Sequence, residues 1–238
     1  MSTRAFAPAF EARFSGVRSS GPSLWLRWVA ANAAGELVGL GLAALVGWAL
    51  LAAPGEDTLF SHILTALALI AVGTFEGAVM GVAQWAVLRA QFPALGRMAW
   101  VEATALGALV AWGLGMLPST LLGASAAGSG APPPEMSDAM QMGLAALMGL
   151  VLGPILAIFQ WRVLRRHVAR AGWWIPANAL AWAAGMPVVF LAAGSAPTGA
   201  SVAVIVAFVA AALAAAGAVV GAIHGLCLVW LARAPRPG

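Results

Sequence analysis

The chain has 238 residues, 62% of them hydrophobic and only 8% charged, with a formal net charge of +4 and a mean hydropathy of +0.93. Soluble domains carry about 25% charged residues and about 45–50% apolar ones, so this composition excludes a water-soluble globular protein and points to an integral membrane protein. The sequence pI near 11.3 does not indicate nucleic acid as a partner, because the arginines sit at the ends of apolar segments and not on one basic face.

In chain order, residues 1–23 form a tail with Phe6, Phe10 and Phe14 at i, i+4 and i+8 among Arg4, Arg13 and Arg18. That spacing predicts an amphipathic helix on a membrane surface, or one docked on a partner subunit, with Pro8 interrupting its start. Six apolar segments follow, at roughly 24–52, 61–89, 99–119, 141–165, 173–193 and 201–232. Each reaches the roughly 20 residues needed to cross about 30 Å of hydrocarbon as a helix. The first is too long for the apolar region of a signal peptide and is expected to stay in the mature chain. The last exceeds one span and is expected to tilt or to project from the bilayer. No segment alternates polar and apolar residues as a membrane β-barrel strand does, so the fold class is all-α. Pro54-Gly55-Glu56-Asp57, Pro93 with Gly96, the Ser/Gly/Pro stretch from Ser119 to Ser137 containing Pro132-Pro133-Pro134, the basic run Arg165 to Gly172, and Gly194 to Gly199 mark the breaks. Residues 24–232 are therefore expected to form a single membrane domain, with 233–238 as a C-terminal tail.

All 12 basic residues are arginine, and all fall on one side of this topology: Arg4, Arg13, Arg18 and Arg27; Arg89 and Arg97; Arg162, Arg165, Arg166 and Arg170; Arg233 and Arg236. The other three connections carry Glu56, Asp57, Glu135 and Asp138 and no arginine. By the positive-inside rule both termini are expected in the cytoplasm. Trp28, Trp85, Trp100, Trp161, Trp174 and Trp230 fall at the arginine-bearing ends, with Trp25 and Trp173 beside them. They are expected as an interfacial aromatic belt.

The sequence also repeats. Gly77 to Arg89 reads GAVMGVAQWAVLR, Gly153 to Arg165 reads GPILAIFQWRVLR, and Gly217 to Gly225 reads GAVVGAIHG. The odd segments share a second pattern: Trp28-Val29-Ala30-Ala31-Asn32, Trp100-Val101-Glu102-Ala103-Thr104 and Trp174-Ile175-Pro176-Ala177-Asn178. The chain reads as three similarly oriented helical hairpins, at about 24–89, 99–165 and 173–232. Such parallel repeats suggest a pseudo-threefold ring, with a linear row as the alternative. Repeated Gln-Trp-x-Val-Leu-Arg after a Gly-rich helix, with Trp-x-x-Ala-Asn at a helix start, resembles a group of small bacterial multi-span membrane proteins with no assigned activity. The resemblance covers most of the chain and implies membrane location and hairpin repeats. The third copy departs from it, with His224-Gly225 in place of Gln-Trp.

On a helix, Gly77 and Gln84, Gly153 and Gln160, and Gly217 and His224 each share a face, being seven residues apart. Asn32 with Gly39 and Asn178 with Gly185 repeat the spacing. Gly39, Gly77, Gly81, Gly153, Gly185, Gly217, Gly221 and Gly225 are expected to let helices approach closely, with buried amides bonding across the contacts. Asn32, Gln84, Thr104, Gln160, Asn178 and His224 fall at similar depth, roughly 6–8 Å inside the arginine-bearing interface at 1.5 Å per residue. They are expected as one polar layer, either a hydrogen-bonded clamp at about 0.6 kcal/mol per contact or the lining of a polar path.

Glu36 and Glu76 lie near the middle of the first and second spans. A carboxylate facing lipid is costly, so both are expected to point into protein. They form the candidate ion or proton site, and if they meet they would share a proton; the bland alternative is a protonated carboxyl bonded in the packed interior. Glu102 is expected to pair with Arg97. His224 and Cys227 are two ligands at most, which does not make a metal site. No cofactor is expected, with a haem or pigment at His224 a remote alternative.

No His-Glu-x-x-His, Gly-x-Ser-x-Gly or phosphate-loop motif is present, so enzymatic activity is not expected. Two function classes remain. The first is a structural or accessory membrane protein, packed against protein partners or copies of itself. The alternative is a small ion, proton or solute channel or transporter using Glu36, Glu76 and the polar layer.

Overall fold

The computed structural model describes residues 21–52, 58–129, 136–195, 197 and 199–233. The N-terminal tail with Phe6, Phe10 and Phe14, the break at 53–57, Pro132 to Pro134 and the last five residues lie outside the described residues. The described residues contain six long helices and no strand: α1 (Gly21–Ala52), α2 (Leu59–Gln91), α3 (Arg97–Ser129), α4 (Asp138–Leu164), α5 (Trp174–Gly194) and α6 (Val202–Arg233), with one 3₁₀ turn (Ala171–Trp173) before α5. Each contains a stretch long and apolar enough to cross a membrane. The chain is a polytopic membrane protein whose surroundings are a lipid bilayer.

Local chemistry sets the helix ends. Thr58 Oγ1 accepts a bond from the Ser61 amide at 3.2 Å, and Ser61 Oγ accepts one from the Thr58 amide at 3.2 Å. This reciprocal capping satisfies two of the donors that a helix start leaves unpaired. Ser137 caps α4 by accepting from the Met140 amide at 3.3 Å, with Asp138 following in the first turn, where a negative charge complements the helix dipole. Arg89, Arg162 and Arg233 occupy the last turns of α2, α4 and α6, the favourable end for cations. One expected boundary is corrected: α3 runs on to Ser129, ten residues beyond the expected end at 119, and the Ser/Gly/Pro connection is correspondingly shorter. Its Ala- and Leu-rich continuation, Leu121-Leu122-Gly123-Ala124 onward, favours helix despite the small residues.

The distribution of side chains inverts that of a soluble bundle. The outward faces carry Leu45, Trp48, Phe60, Phe75, Leu147, Leu180 and Val204, while Asn32, Glu36, Glu76, Gln84, Thr104, Gln160, Asn178 and His224 are buried. Lipid solvates the first group, and protein must satisfy the second.

The helices close a ring. Each packs on the next in the chain, and α6 packs on α1. A linear row would leave α1 and α6 apart, so that alternative is excluded. The closest approaches are α2 with α3, α4 with α5, and α6 with α1, across the short arginine-bearing side and not within the hairpins delimited in sequence. Glycine is the reason. A Cβ on Gly77 or Gly81 would strike Val101, Thr104, Ala105 and Ala108 of α3; one on Gly153 would strike Asn178 and Trp182 of α5; one on Gly217, Gly221 or Gly225 would strike Trp28, Val29, Asn32 and Ala33 of α1. Gly39 and Gly185 serve the other interfaces, facing Glu76 of α2 and Val220 of α6. Lipid tails are as apolar as leucine, so close backbone contact of this kind, and not hydrophobic exclusion, holds such helices together.

Gly153→Leu drives a side chain into the Asn178 carbonyl and is expected to cost about 1–3 kcal/mol by overpacking. Gly143→Leu, where an added Cβ meets nothing within 4 Å, is expected to be tolerated. Thermal unfolding of both variants in detergent checks this; equal melting temperatures would refute the packing assignment.

Candidate functional site: a sealed polar layer and a carboxyl pair above it

The site is built from α1 to α6 by two patterns already visible in sequence. At the start of each odd helix, a tryptophan turns inward. Trp28, Trp100 and Trp174 are all 0% exposed. Each indole N–H donates to the polar residue of the preceding helix around the ring: Trp28 to His224 Nδ1 at 2.8 Å, Trp100 to Gln84 Oε1 at 3.2 Å and Trp174 to Gln160 Oε1 at 2.8 Å. An indole can only donate, so His224 Nδ1 is an acceptor and the ring carries its proton on Nε2.

One turn further in, the second polar residue bonds back to that tryptophan's carbonyl. Asn32 donates to Trp28 O, Thr104 to Trp100 O and Asn178 to Trp174 O, at 2.8, 2.9 and 2.8 Å. The layer is then tied across its centre. Gln84 Nε2 donates to Asn32 Oδ1, and Gln160 Nε2 donates to both Gln84 Oε1 and Thr104 Oγ1, each at 3.0 Å. The polar layer expected from sequence is brought together, bonded to itself and filled by aromatic rings: Trp28 lies 5.8 Å from Trp174, and the His224 ring lies 5.5 and 5.2 Å from them. It forms a floor, not the lining of an open path. Leu24, Leu88, Leu164, Leu228 and Leu231 pack beneath it.

The aromatic belt is corrected in half of its members. Trp28, Trp100 and Trp174 are not interfacial. They sit inside because each faces a polar acceptor on the preceding helix. Trp85, Trp161 and Trp230 are the partly exposed ones, and an arginine lies over each ring: Arg89 at 5.2 Å and Arg97 at 5.8 Å from Trp85, Arg165 at 4.9 Å from Trp161, Arg170 at 5.7 Å from Trp230. These cation–π contacts hold the arginines at the bundle end. Arg97 is thus turned to Trp85. Glu102 is exposed, and no ion pair joins it to Arg97 among the described residues. His224 and Cys227 do not converge either: Cys227 Sγ is 3.5 Å from the Trp173 carbonyl.

Above the floor stand the two carboxyls. Glu36 on α1 is 2% exposed and Glu76 on α2 is 7% exposed, and the two are within hydrogen-bonding reach of each other. A bond between them requires at least one proton on the pair, since two carboxylates offer no donor. Gly39 and Gly217 make the room, because a Cβ on either would strike Glu76 or Glu36. Trp112 Nε1 donates to Glu76 Oε2 at 2.9 Å. Glu36 Oε2 is buried and has no hydrogen-bond partner. Both carboxyls line a cavity of about 400 Å³, walled by α1 to α5 and otherwise almost wholly apolar.

The positions facing the same glycine elsewhere in the ring are apolar. Gly217 meets Glu36, Gly77 meets Ala108, and Gly153 meets Trp182. The carboxyl pair is therefore particular to the α1–α2 pair. Trp112, Trp182 and the cavity methionines Met80, Met116, Met148 and Met186 are site residues not picked out from sequence. The available signal was position: Trp112 and Trp182 are mid-span tryptophans, away from every arginine, and so had no interfacial reason to be there.

No protein family, no curated protein and no solved structure matches this chain.

Gln160→Leu removes two donated bonds and strands the Trp174 indole N–H. At about 0.6 kcal/mol per bond the expected loss is about 2 kcal/mol, read as a lower unfolding midpoint with helicity unchanged. A variant as stable as the parent would show that the layer is not a clamp.

Proposed function

We propose that this chain is a small transporter of a bacterial cytoplasmic membrane, with the Glu36–Glu76 pair as its proton or solute site and the Trp–amide layer as its closed cytoplasmic gate. The observation that carries this reading is the unpartnered, buried Glu36 Oε2 on the wall of the cavity. An ionisable group that deep in a membrane is expensive unless satisfied. A bundle built only to pack has no use for a carboxyl oxygen left open beside a void.

The arginines support the orientation: all twelve lie on one side of the topology, the distribution expected when both termini are cytoplasmic. The three indole-to-polar bonds and the three glycine seats support a pseudo-threefold arrangement of three hairpins, as do the Gln-Trp-x-Val-Leu-Arg copies and their likeness to small bacterial multi-span proteins. In this arrangement the layer closes one end of the bundle, and the cavity lies on the other side of it. Transport then requires the floor to part, and each layer bond is weak enough on its own, at about 0.6 kcal/mol, to exchange during a cycle.

A structural or accessory protein, docked on partner subunits or copies of itself, is the competing reading. The hydrogen bonds that tie the polar layer across its centre favour it. Reconstitution decides between them. In proteoliposomes carrying a pH gradient, solute-dependent proton movement is expected for the parent chain. Glu36→Gln and Glu76→Gln are expected to lower it at least about tenfold, the scale of one charge-assisted contact of about 1.5–3 kcal/mol, while both remain folded. No solute-dependent flux from the parent chain, with stable co-purification of a second membrane protein, would overturn the transporter in favour of the accessory role.

A further inference from the structure

We infer that the cavity beside Glu36 is a binding site for a lipophilic monovalent cation, an ammonium or phosphonium carried on an apolar body. This assignment rests on reading the Glu36–Glu76 pair as a solute site, and it names the chemistry of the solute.

The charge argument comes first. A carboxyl pair that shares one proton keeps one negative charge. Glu76 has a partner for its Oε2 in the Trp112 indole, so the unsatisfied acceptor is Glu36 Oε2. Among the described residues, the cavity lining contains no arginine or histidine to neutralise it. Glu36 is faced by Glu76 from α2 and by Gly217 from α6, and the histidine of α6, His224, is committed to Trp28. A buried charge without a counter-ion is strongly disfavoured. The site is therefore satisfied in one of two ways, by a second proton or by a cation brought from outside. The two exclude each other, which couples solute release to proton uptake.

The wall then selects the kind of cation. An inorganic ion stripped of its water needs several oxygen ligands, and this cavity offers two carboxyls in an otherwise apolar lining, the Thr104 hydroxyl being already bonded to Trp100 O and Gln160 Nε2. Trp112 and Trp182 present aromatic surface, and cations bind the faces of such rings. Met80, Met116, Met148 and Met186 add flexible, polarisable side chains that adapt to ligands of different outline. A volume of about 400 Å³ falls in the usual small-molecule range of about 300–1,000 Å³. A carboxyl pair carrying one negative charge, two indoles and four thioethers make a site for a delocalised or alkylated cation, with shape loosely specified.

Equilibrium binding of tetraphenylphosphonium to the purified full chain in nanodiscs tests this, with empty nanodiscs subtracted and tetraphenylborate as the probe of like shape and opposite charge. Saturable binding of the cation and none of the anion is expected. Glu36→Gln is expected to weaken it at least about tenfold, the loss of one desolvated charge contact. Gly115→Leu, at a lining position where an added Cβ meets only Leu152 at 3.9 Å, fills the cavity without touching the acids and is expected to weaken binding similarly. Glu102→Gln, on the exposed surface, is expected to bind as the parent does. No saturable binding by the parent, equal binding of tetraphenylborate, or unchanged binding in monodisperse Glu36→Gln and Gly115→Leu would each overturn the cation site. Binding of the phosphonium without any proton movement in proteoliposomes would instead uphold the cation site and overturn the transporter reading. Proton movement driven by other solutes, with no phosphonium bound, would do the reverse.

Discussion

The structure depends on one bond type used three times: an indole N–H from the start of an odd helix, donated to a polar side chain on the helix before it in the ring. Trp28 with His224, Trp100 with Gln84 and Trp174 with Gln160 each fix the rotation of one helix against another. In a bilayer, rotation is what needs fixing, since an apolar helix is about equally well solvated on every face. Once the indoles are set, the residue one turn on bonds back to the tryptophan carbonyl, and the glycines of the even helices fall opposite α1, α3 and α5. The ring closes because α6 meets α1 through the same contact, with histidine standing where the other two copies have glutamine.

That closure gives the bundle two unlike ends. At the arginine-bearing end, large rings, a hydrogen-bonded amide layer and buried leucines pack together. Beyond the layer, the helices are spaced by the side chains at three corresponding positions, Glu36, Ala108 and Trp182. A carboxyl, a methyl and an indole cannot fill one centre evenly, and the cavity is what remains. Asymmetry at these positions shapes the site.

Much of this was legible from particular residues. The membrane class, the six spans, the arginine-bearing end, the glycine faces and the membership of the polar layer could all be read along the chain. Other features could not. Nothing local separates Trp28, which turns inward, from Trp85, which stays at the rim under Arg89 and Arg97. Both lie near an arginine and both could anchor an interface. The difference is the angle at which each leaves its helix relative to a neighbour far away in sequence. The same holds for Ser119 to Ser129, where small residues read as a loop continue α3.

Span length, end charge and the recurrence of small and polar residues were determined by the sequence alone. A bilayer imposes those requirements on each segment separately, through its thickness, its potential and the cost of unsatisfied backbone. Tertiary structure decided that Glu36 meets Glu76, that Trp112 bonds that pair, and that an open carboxyl oxygen borders a cavity. Those outcomes depend on which face each helix presents and how closely two helices cross. In helices that are apolar nearly all round, the periodic signal that marks an inner face in a soluble protein is largely missing, and only packing supplies it.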